Sequence, residues 1–263
     1  MDVVEFDSEH DSIACELNER GRLAITIDRP DSLNAIDDAV REGVVDLLER
    51  IDDERVRCVT FEGAGDEAFS AGADVESVAD RTPAEAIDVT PLYEVVAEYP
   101  RPTLAAIRGY CLGGGHELAL ACDMRVATAD AEFGFPEVGL GLLPGGGGTQ
   151  RLVRLVGEAR AKELVFRGHR IDAKRAADWG LINRAVPPAE FDETVDSYVE
   201  DLVSGPPLAL KVAKNVLNNA EDTSLAAGIA MESQAFGFLT TTEDFEEGRR
   251  AFREGRDPEF EGK

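Results

Sequence analysis

The run Gly113-Gly114-Gly115-His116-Glu117-Leu118 narrows what this chain can fold into more than any other stretch. It is preceded by β-rich residues from Thr103 to Ile107 and followed by the apolar Leu118, Ala119, Leu120, Ala121 and Cys122. That order predicts a strand, a tight glycine turn and a buried helix from about Glu117 to Cys122. The first N–H groups of a helix lack partners within it, carry partial positive charge and stabilise an oxyanion. A carboxylate at the buried start of such a helix, Glu117, needs a partner or a task. Phe135-Pro136-Glu137 sets a second carboxylate on a proline-stiffened loop before the apolar run Val138–Leu143. Phe69-Ser70-Ala71-Gly72-Ala73-Asp74 forms another small-residue turn that opens toward a helix. Two sources of bare N–H groups and two carboxylates are the parts needed to polarise a carbonyl and move protons beside it. The combination implies an enzyme.

The same unit of strand, tight turn and helix recurs along the chain. Arg22 to Asp28 reads as a strand ending at Pro30, and Val40, Val44, Leu47, Leu48 and Ile51 follow at helical spacing. Val56 to Phe61 and Met124 to Ala129 are further strands, and Pro144-Gly145-Gly146-Gly147-Gly148-Thr149 opens another helix. These units predict an α/β core of repeated ββα-like turns with its chemistry at the turns. Beyond Pro187-Pro188 the text becomes helical: one stripe comprises Phe191, Val195, Tyr198, Val199 and Leu202, another Leu208, Val212, Val216 and Leu217. We therefore divide the chain into a core over 1–195 and a helical region over 196–263, whose apolar faces could serve assembly or equally pack only on their own core.

Charge sets outer bounds on partners. With 53 acidic and 27 basic residues the net charge is −26, and only Lys162, Lys174, Lys211, Lys214 and Lys263 are lysines, leaving 22 arginines. A hydrated acidic coat poor in lysine suits high salt, where a Debye length of about 3 Å at 1 M quenches self-repulsion. Such a surface disfavours nucleic acid and anionic membranes as partners. Met1 to Asp11 is acidic where a secretory signal is basic and then apolar. Cys15, Cys58, Cys111 and Cys122 form no C-x-x-C pair, so they read as small buried thiols in a reducing, cytoplasmic setting with no metal.

Other chemistries suggested by glycine and histidine fail on inspection. Gly145–Thr149 lacks the lysine of a phosphate loop, and Gly139-Leu140-Gly141 meets Pro144 where a dinucleotide fingerprint needs its third glycine. His116-Glu117 begins like a zinc-protease motif, but Leu120 stands where the second histidine belongs. Ser70 is one glycine short of a nucleophile elbow, and only His10, His116 and His169 are available as bases.

The chain resembles the crotonase superfamily, the enoyl-CoA hydratase/isomerase family, over essentially its whole length. The resemblance rests on Asp28-Arg29-Pro30 with Leu33-Asn34-Ala35, on Phe69–Asp74, and on Gly109-Tyr110-Cys111-Leu112 running into Gly113–Ala119. It continues through Ala121-Cys122-Asp123, Phe135-Pro136-Glu137, Leu143-Pro144-Gly145 and Gly147-Gly148-Thr149-Gln150-Arg151-Leu152. It implies a crotonase-like α/β fold, an acyl-CoA thioester as substrate, no separate cofactor because coenzyme A enters with the thioester, and assembly as a homotrimer or dimer of trimers. The thioester oxygen is then expected at the N–H groups of Ala73 and Gly114. Glu117 and Glu137 match both hydratase glutamates, Glu117 taking a proton from water and Glu137 protonating Cα. The rival expectation within the family is Δ3,Δ2-enoyl-CoA isomerisation or another enolate reaction. The rival from a different class, a non-catalytic homologue serving as a binding or assembly partner, is opposed by the intact Glu117–Glu137 pair. Gly145 is expected to orient the water or Glu137. Ala35, Ala71, Asp74 and Val75 join the implied substrate-binding set, and the acyl pocket is drawn from Val75 to Tyr93. Two departures concern the coenzyme A phosphates. Glu76 occupies a position where family members often carry lysine, and the C-terminal Phe252-Arg253-Glu254-Gly255-Arg256-Asp257 lacks the usual lysines. Arg29, Arg253 and Arg256 are the candidate replacements.

Overall fold

The computed structural model describes residues 4–5, 12–51, 54–79, 81–82, 84–85 and 91–263. Most of Met1–Asp11 and much of the expected acyl-pocket stretch between 80 and 90 lie outside the described residues. Eleven strands are described: β1 (Val4–Glu5), β2 (Ile13–Leu17), β3 (Arg22–Ile27), β4 (Cys58–Gly63), β5 (Ala68–Ser70), β6 (Thr103–Ile107), β7 (Tyr110–Leu112), β8 (Met124–Thr128), β9 (Glu132–Gly134), β10 (Arg170–Asp172) and β11 (Arg184–Val186). The α-helices are α1 (Asp38–Arg50), α2 (Val75–Ala79), α3 (Leu92–Glu98), α4 (Gly114–Ala121), α5 (Gly148–Val156), α6 (Glu158–Arg167), α7 (Ala173–Asp178), α8 (Phe191–Ser204), α9 (Pro207–Asn218), α10 (Leu225–Leu239) and α11 (Glu243–Glu254).

The strands form two sheets. The larger runs β1-β2-β3-β4-β6-β8-β11, the smaller β10-β9-β7-β5. The two pairs among β1, β2 and β3 are antiparallel, and β3 onward is parallel. Three successive units, β4 with β5, β6 with β7, and β8 with β9, each send one strand into the large sheet and the next into the small one. Each unit then turns into a helix or a helical turn, which is the repeated ββα pattern expected from the sequence. Central strands are buried on both faces: every residue of β6 and the first four of β4 are buried. On one face of the large sheet Cys58, Leu104, Ala106 and Val126 pack with Phe191, Val195, Val199 and Val203 of α8. The other face belongs to the main core, where Val40, Val44 and Leu48 of α1 meet Phe61, Leu92 and Val96.

Differences from the sequence reading have local causes. Helix α4 begins at Gly114, three residues before the expected start, because the glycines continue into it rather than merely preceding it. A Cβ on Gly115 would stand 2.5 Å from Ser70 Cβ, so only glycine lets the helix start rest on β5. The strand expected from Val56 begins at Cys58. Position 195 lies in the second turn of α8, and the chain beyond α8 is helical as expected. In α9, however, Leu217 is 71% exposed, and the buried members are Pro207 and Lys214. Lys214 Nζ pairs with Asp123 at 2.8 Å and donates to the Arg101 carbonyl, fastening α9 to the end of the glycine-led helix. Among the described residues no helix is long and apolar enough to cross a membrane.

Candidate active site

Two helix-opening turns from the small sheet meet at the site. After β5 the chain runs through Ala71-Gly72-Ala73 into α2, and after β7 it turns at Gly113, φ 49°, into α4. Ile36 bridges beside Ala73: the Ile36 N–H donates to the Gly72 carbonyl at 2.8 Å and the Asp74 N–H to the Ile36 carbonyl at 3.0 Å. Backbone groups alternate in direction along an extended chain, so the intervening Ala73 N–H faces the other way, toward α4. The two turns press together there. A Cβ on Gly72 would lie 3.3 Å from the Gly114 nitrogen, and one on Gly114 would lie 3.1 Å from the Ala73 nitrogen. Among the described residues no hydrogen bond uses either N–H. This pair, singled out in the sequence, is brought together in the fold.

Glu117 sits on the first turn of α4, 3% exposed. Its Oε1 accepts from the Gly146 N–H at 2.6 Å and the Gly148 N–H at 2.8 Å. Burial raises its carboxyl above the ordinary carboxylate range, and the two N–H groups, with Arg41 and Arg151 behind them, oppose that rise. Glu137 stands in the helical turn Pro136–Leu140 with its Oε1 3.1 Å from where a Cβ on Gly113 would be. Both of its carboxyl oxygens are buried and have no partner among the described residues. Burial, with the charge of Glu117 adding to it, pushes this carboxyl up to about 7. The environment therefore sets the two acids apart: one is held as an acceptor by N–H groups, the other retains its proton near neutrality.

Supporting residues hold this geometry. His116 is fully buried, stacks on Phe135 at 4.5 Å, and burial pushes it down to about 3, so it is a neutral packing element next to the Glu137 loop. Arg125, also buried, donates to the carbonyls of Ala119, Cys122 and Leu181 and thereby caps the C-terminal end of α4.

The other sequence candidates divide. Arg29, Ala35 and Asp74 do come together, but on one another: Arg29 donates to the Ala35 carbonyl at 2.6 Å and lies 3.3 Å from Asp74 and 3.2 Å from Asp37. Those donors are already engaged, so Arg29 clamps the turn before α1 to the Ala73 turn. Ala71 donates its N–H to the Leu33 carbonyl at 2.9 Å, so it too braces that turn. Val75 is 54% exposed at the start of α2, the helix that also carries Glu76. Gly145 makes no close approach, and the groups that hold a glutamate are Gly146 and Gly148, which hold Glu117 rather than Glu137. Arg256 is spent at the end of α11 on Glu247, at 2.6 Å, and Glu254, at 2.8 Å. Among the described residues it has no polar contact with the other candidates. Sequence reasoning named Tyr93 only as the end of the acyl-pocket stretch and missed Arg41; their only other signals were an aromatic and an arginine at helical positions. Among the described residues no group of three or more His, Cys, Asp or Glu is placed to hold a metal ion.

Two glutamates of different environment facing a pair of free N–H groups define an acid–base site built around a polarised carbonyl. The chain belongs to the enoyl-CoA hydratase/isomerase family, whose pattern it matches over residues 18–263. It is 39% identical over 246 residues to a short-chain-enoyl-CoA hydratase of Clostridium acetobutylicum, covering 91% of this chain and 94% of that one. It is 36% identical over 250 residues to a crotonyl-CoA hydratase of Syntrophomonas wolfei, covering 93% and 96%. Its fold superposes with a TM-score of 0.92 on the crystal structure of an enoyl-CoA hydratase from Bacillus anthracis, at 36% identity over 96% of this chain and all of that one.

Proposed function

We propose that the protein catalyses reversible syn addition of water to a trans-2-enoyl-CoA thioester, giving the 3-hydroxyacyl-CoA. The observation that carries this reading is the pair of buried glutamates in unlike surroundings, Glu117 accepting from two N–H groups and Glu137 without a partner among the described residues. The thioester oxygen sits at the Ala73 and Gly114 N–H groups, which stabilise the charge that develops as the double bond is attacked. Glu117, its Oε1 fixed by Gly146 and Gly148, receives a proton from water as the hydroxide adds to Cβ. Glu137, proton-bearing near neutrality and without another partner among the described residues, protonates Cα. Each addition leaves the pair with one proton in total but moves it from Glu137 to Glu117, so the proton returns from Glu117 to Glu137, directly or through the next water, before another hydration. The reading requires no cofactor beyond the coenzyme A of the substrate.

We place the assembled enzyme in the cytoplasm as a homotrimer or a dimer of trimers. Four free, buried cysteines support a reducing compartment. Helix α10 buries none of its residues within the chain and leaves Leu225, Ile229, Phe236 and Phe238 more than half exposed, which supports assembly through the C-terminal helices.

Loss of the conjugated enoyl absorbance of crotonyl-CoA and longer homologues tests the reaction. Glu117→Gln and Glu137→Gln are each expected to lower kcat by about 10²- to 10⁴-fold with little change in KM. Turnover of crotonyl-CoA by Glu117→Gln at the wild-type rate would reject hydration. Sedimentation at molar salt tests the assembly, which a stable monomer would refute.

A further inference from the structure

Helix α3 delivers one more group to this site. Tyr93 is buried, 5% exposed, and its Oη lies 2.8 Å from the point where a Cβ on Gly114 would stand. The same point is 3.1 Å from the Ala73 nitrogen, so the phenol stands beside the free N–H pair. The ring lies against the backbone of Gly146, where a Cβ would come within 2.1 Å of Tyr93 Cε2. Arg151 ties these parts together, donating to the Gly146 carbonyl at 2.8 Å and to the Tyr93 carbonyl at 3.5 Å. Tyr93 is thus wedged between the turn that presents Gly114 and the loop that holds Glu117.

The orientation of its proton follows from Arg41. Arg41 is 7% exposed, and its guanidinium sits 5.3 Å from the Tyr93 ring centroid and donates through Nη2 to Tyr93 Oη at 3.3 Å. Arginine has no acceptor to offer, so the hydroxyl accepts from Arg41 and turns its own proton elsewhere. Among the described residues no hydrogen bond uses that proton. A buried donor left without an acceptor is costly, unless the acceptor arrives with the substrate.

We propose that Tyr93 is a side-chain hydrogen-bond donor to the thioester oxygen, a third donor beside the Ala73 and Gly114 N–H groups, held in orientation by Arg41. The proposal rests on the acyl-CoA reading given above. The hydroxyl stays protonated throughout the range in which Glu137 titrates, since burial and the nearby carboxylates push it up to about 12 against the opposing pull of Arg41. A donor placed there acts most strongly when negative charge builds on the oxygen, so its loss lowers kcat rather than weakening ground-state binding.

Tyr93→Phe keeps the ring against Gly146 and removes the hydroxyl, both the proton and the oxygen that accepts from Arg41. On crotonyl-CoA it is expected to lower kcat by about 10- to 100-fold while KM changes by less than about threefold, with Tm close to wild type. A second readout is independent of hydration. Acetoacetyl-CoA ionises to an enolate whose charge rests on the oxygens that this site binds, and its absorbance reports the pH at which the bound ligand ionises. Wild type is expected to shift that midpoint downward, Tyr93→Phe to lose about one pH unit of the shift, a tenfold change, and Arg41→Met to lose part of it. An unchanged kcat and an unchanged enolate midpoint in Tyr93→Phe would overturn the proposal. So would a fall in kcat matched by a lower Tm with the midpoint unmoved, since that describes packing. If wild type binds acetoacetyl-CoA but hydrates no enoyl-CoA, the hydratase reading fails and the enolate midpoint still decides the role of Tyr93. Failure of wild type to bind acetoacetyl-CoA would overturn both.

Discussion

Gly148→Ala tests whether the two backbone N–H groups are what make Glu117 a base. Gly148 opens α5 and is not in the left-handed region, so alanine suits its backbone and is favoured in helices by about 0.8–1 kcal/mol. The obstacle is space. The new Cβ would lie 2.9 Å from Glu117 Oε1, 2.9 Å from Phe135 Cε1 and 3.0 Å from Glu117 Cγ, where carbon contacts settle at about 3.5–4.0 Å. Phe135 is fully buried and stacked on His116, so the glutamate is the side that yields. Moving it strains contacts of 2.6 and 2.8 Å to Gly146 and Gly148. Losing one hydrogen bond to a charged group costs about 1.5–3 kcal/mol, or roughly 10- to 100-fold in kcat if Glu117 must be ionised in place. The same loss removes stabilisation of the ionised carboxylate. The acid limb of kcat/KM should therefore move to higher pH by about one to two units. Steady-state hydration of crotonyl-CoA across the pH range, beside a thermal melt, measures both effects. A folded Gly148→Ala with kcat within about twofold of wild type and an unmoved acid limb would refute the reasoning.

The strand–turn–helix repeat and both glutamates were legible because they are written locally. A glycine run between a β-rich segment and an apolar helix signals bare N–H groups wherever the chain later packs. A carboxylate flanked by apolar residues, as in Glu117, announces burial without needing a partner in view. What stayed illegible depends on contacts remote in sequence. Nothing near Gly145, Gly146 and Gly148 says which of them turns its N–H toward Glu117, which lies about thirty residues earlier; that choice follows from how α5 approaches α4. Arg29 read as a free cation, but Asp74, 45 positions later, folds back onto it. Arg256 is likewise absorbed by Glu247 and Glu254 of the helix just before it. Tyr93 and Arg41 carried only the appearance of core positions, since a polar tip and its apolar body are separable only when the neighbours are known. The stripe through Leu217 could be read for assembly or for packing on the core, and the chain by itself leaves Leu217 exposed.

The core of the site also makes demands on its supports. Arg125→Met leaves the carbonyls of Ala119, Cys122 and Leu181 without their buried donor, and should cost about 3 kcal/mol or more by chemical denaturation; an unchanged midpoint would remove Arg125 as the cap of α4. With a net charge of −26, Tm should climb as salt is raised from dilute buffer to molar concentration, and a flat or falling Tm would refute the high-salt reading of the surface. The pH profile is the remaining prediction. On the proposed mechanism the active pair carries one proton: Glu117 ionised to take a proton from water, Glu137 protonated to give one to Cα. A second proton on the pair silences the base as pH falls, and loss of the only proton silences the acid as pH rises through about 7, the value to which burial and Glu117 push Glu137. Hydration and dehydration start from states with the same total proton count, and their kcat/KM ratio is fixed by an equilibrium that releases no proton. Both directions should therefore trace one bell with a shared alkaline limb, and Glu137→Gln should lose that limb along with most of its activity. A kcat/KM that keeps its full value well above neutrality would show that Glu137 does not hold the transferred proton.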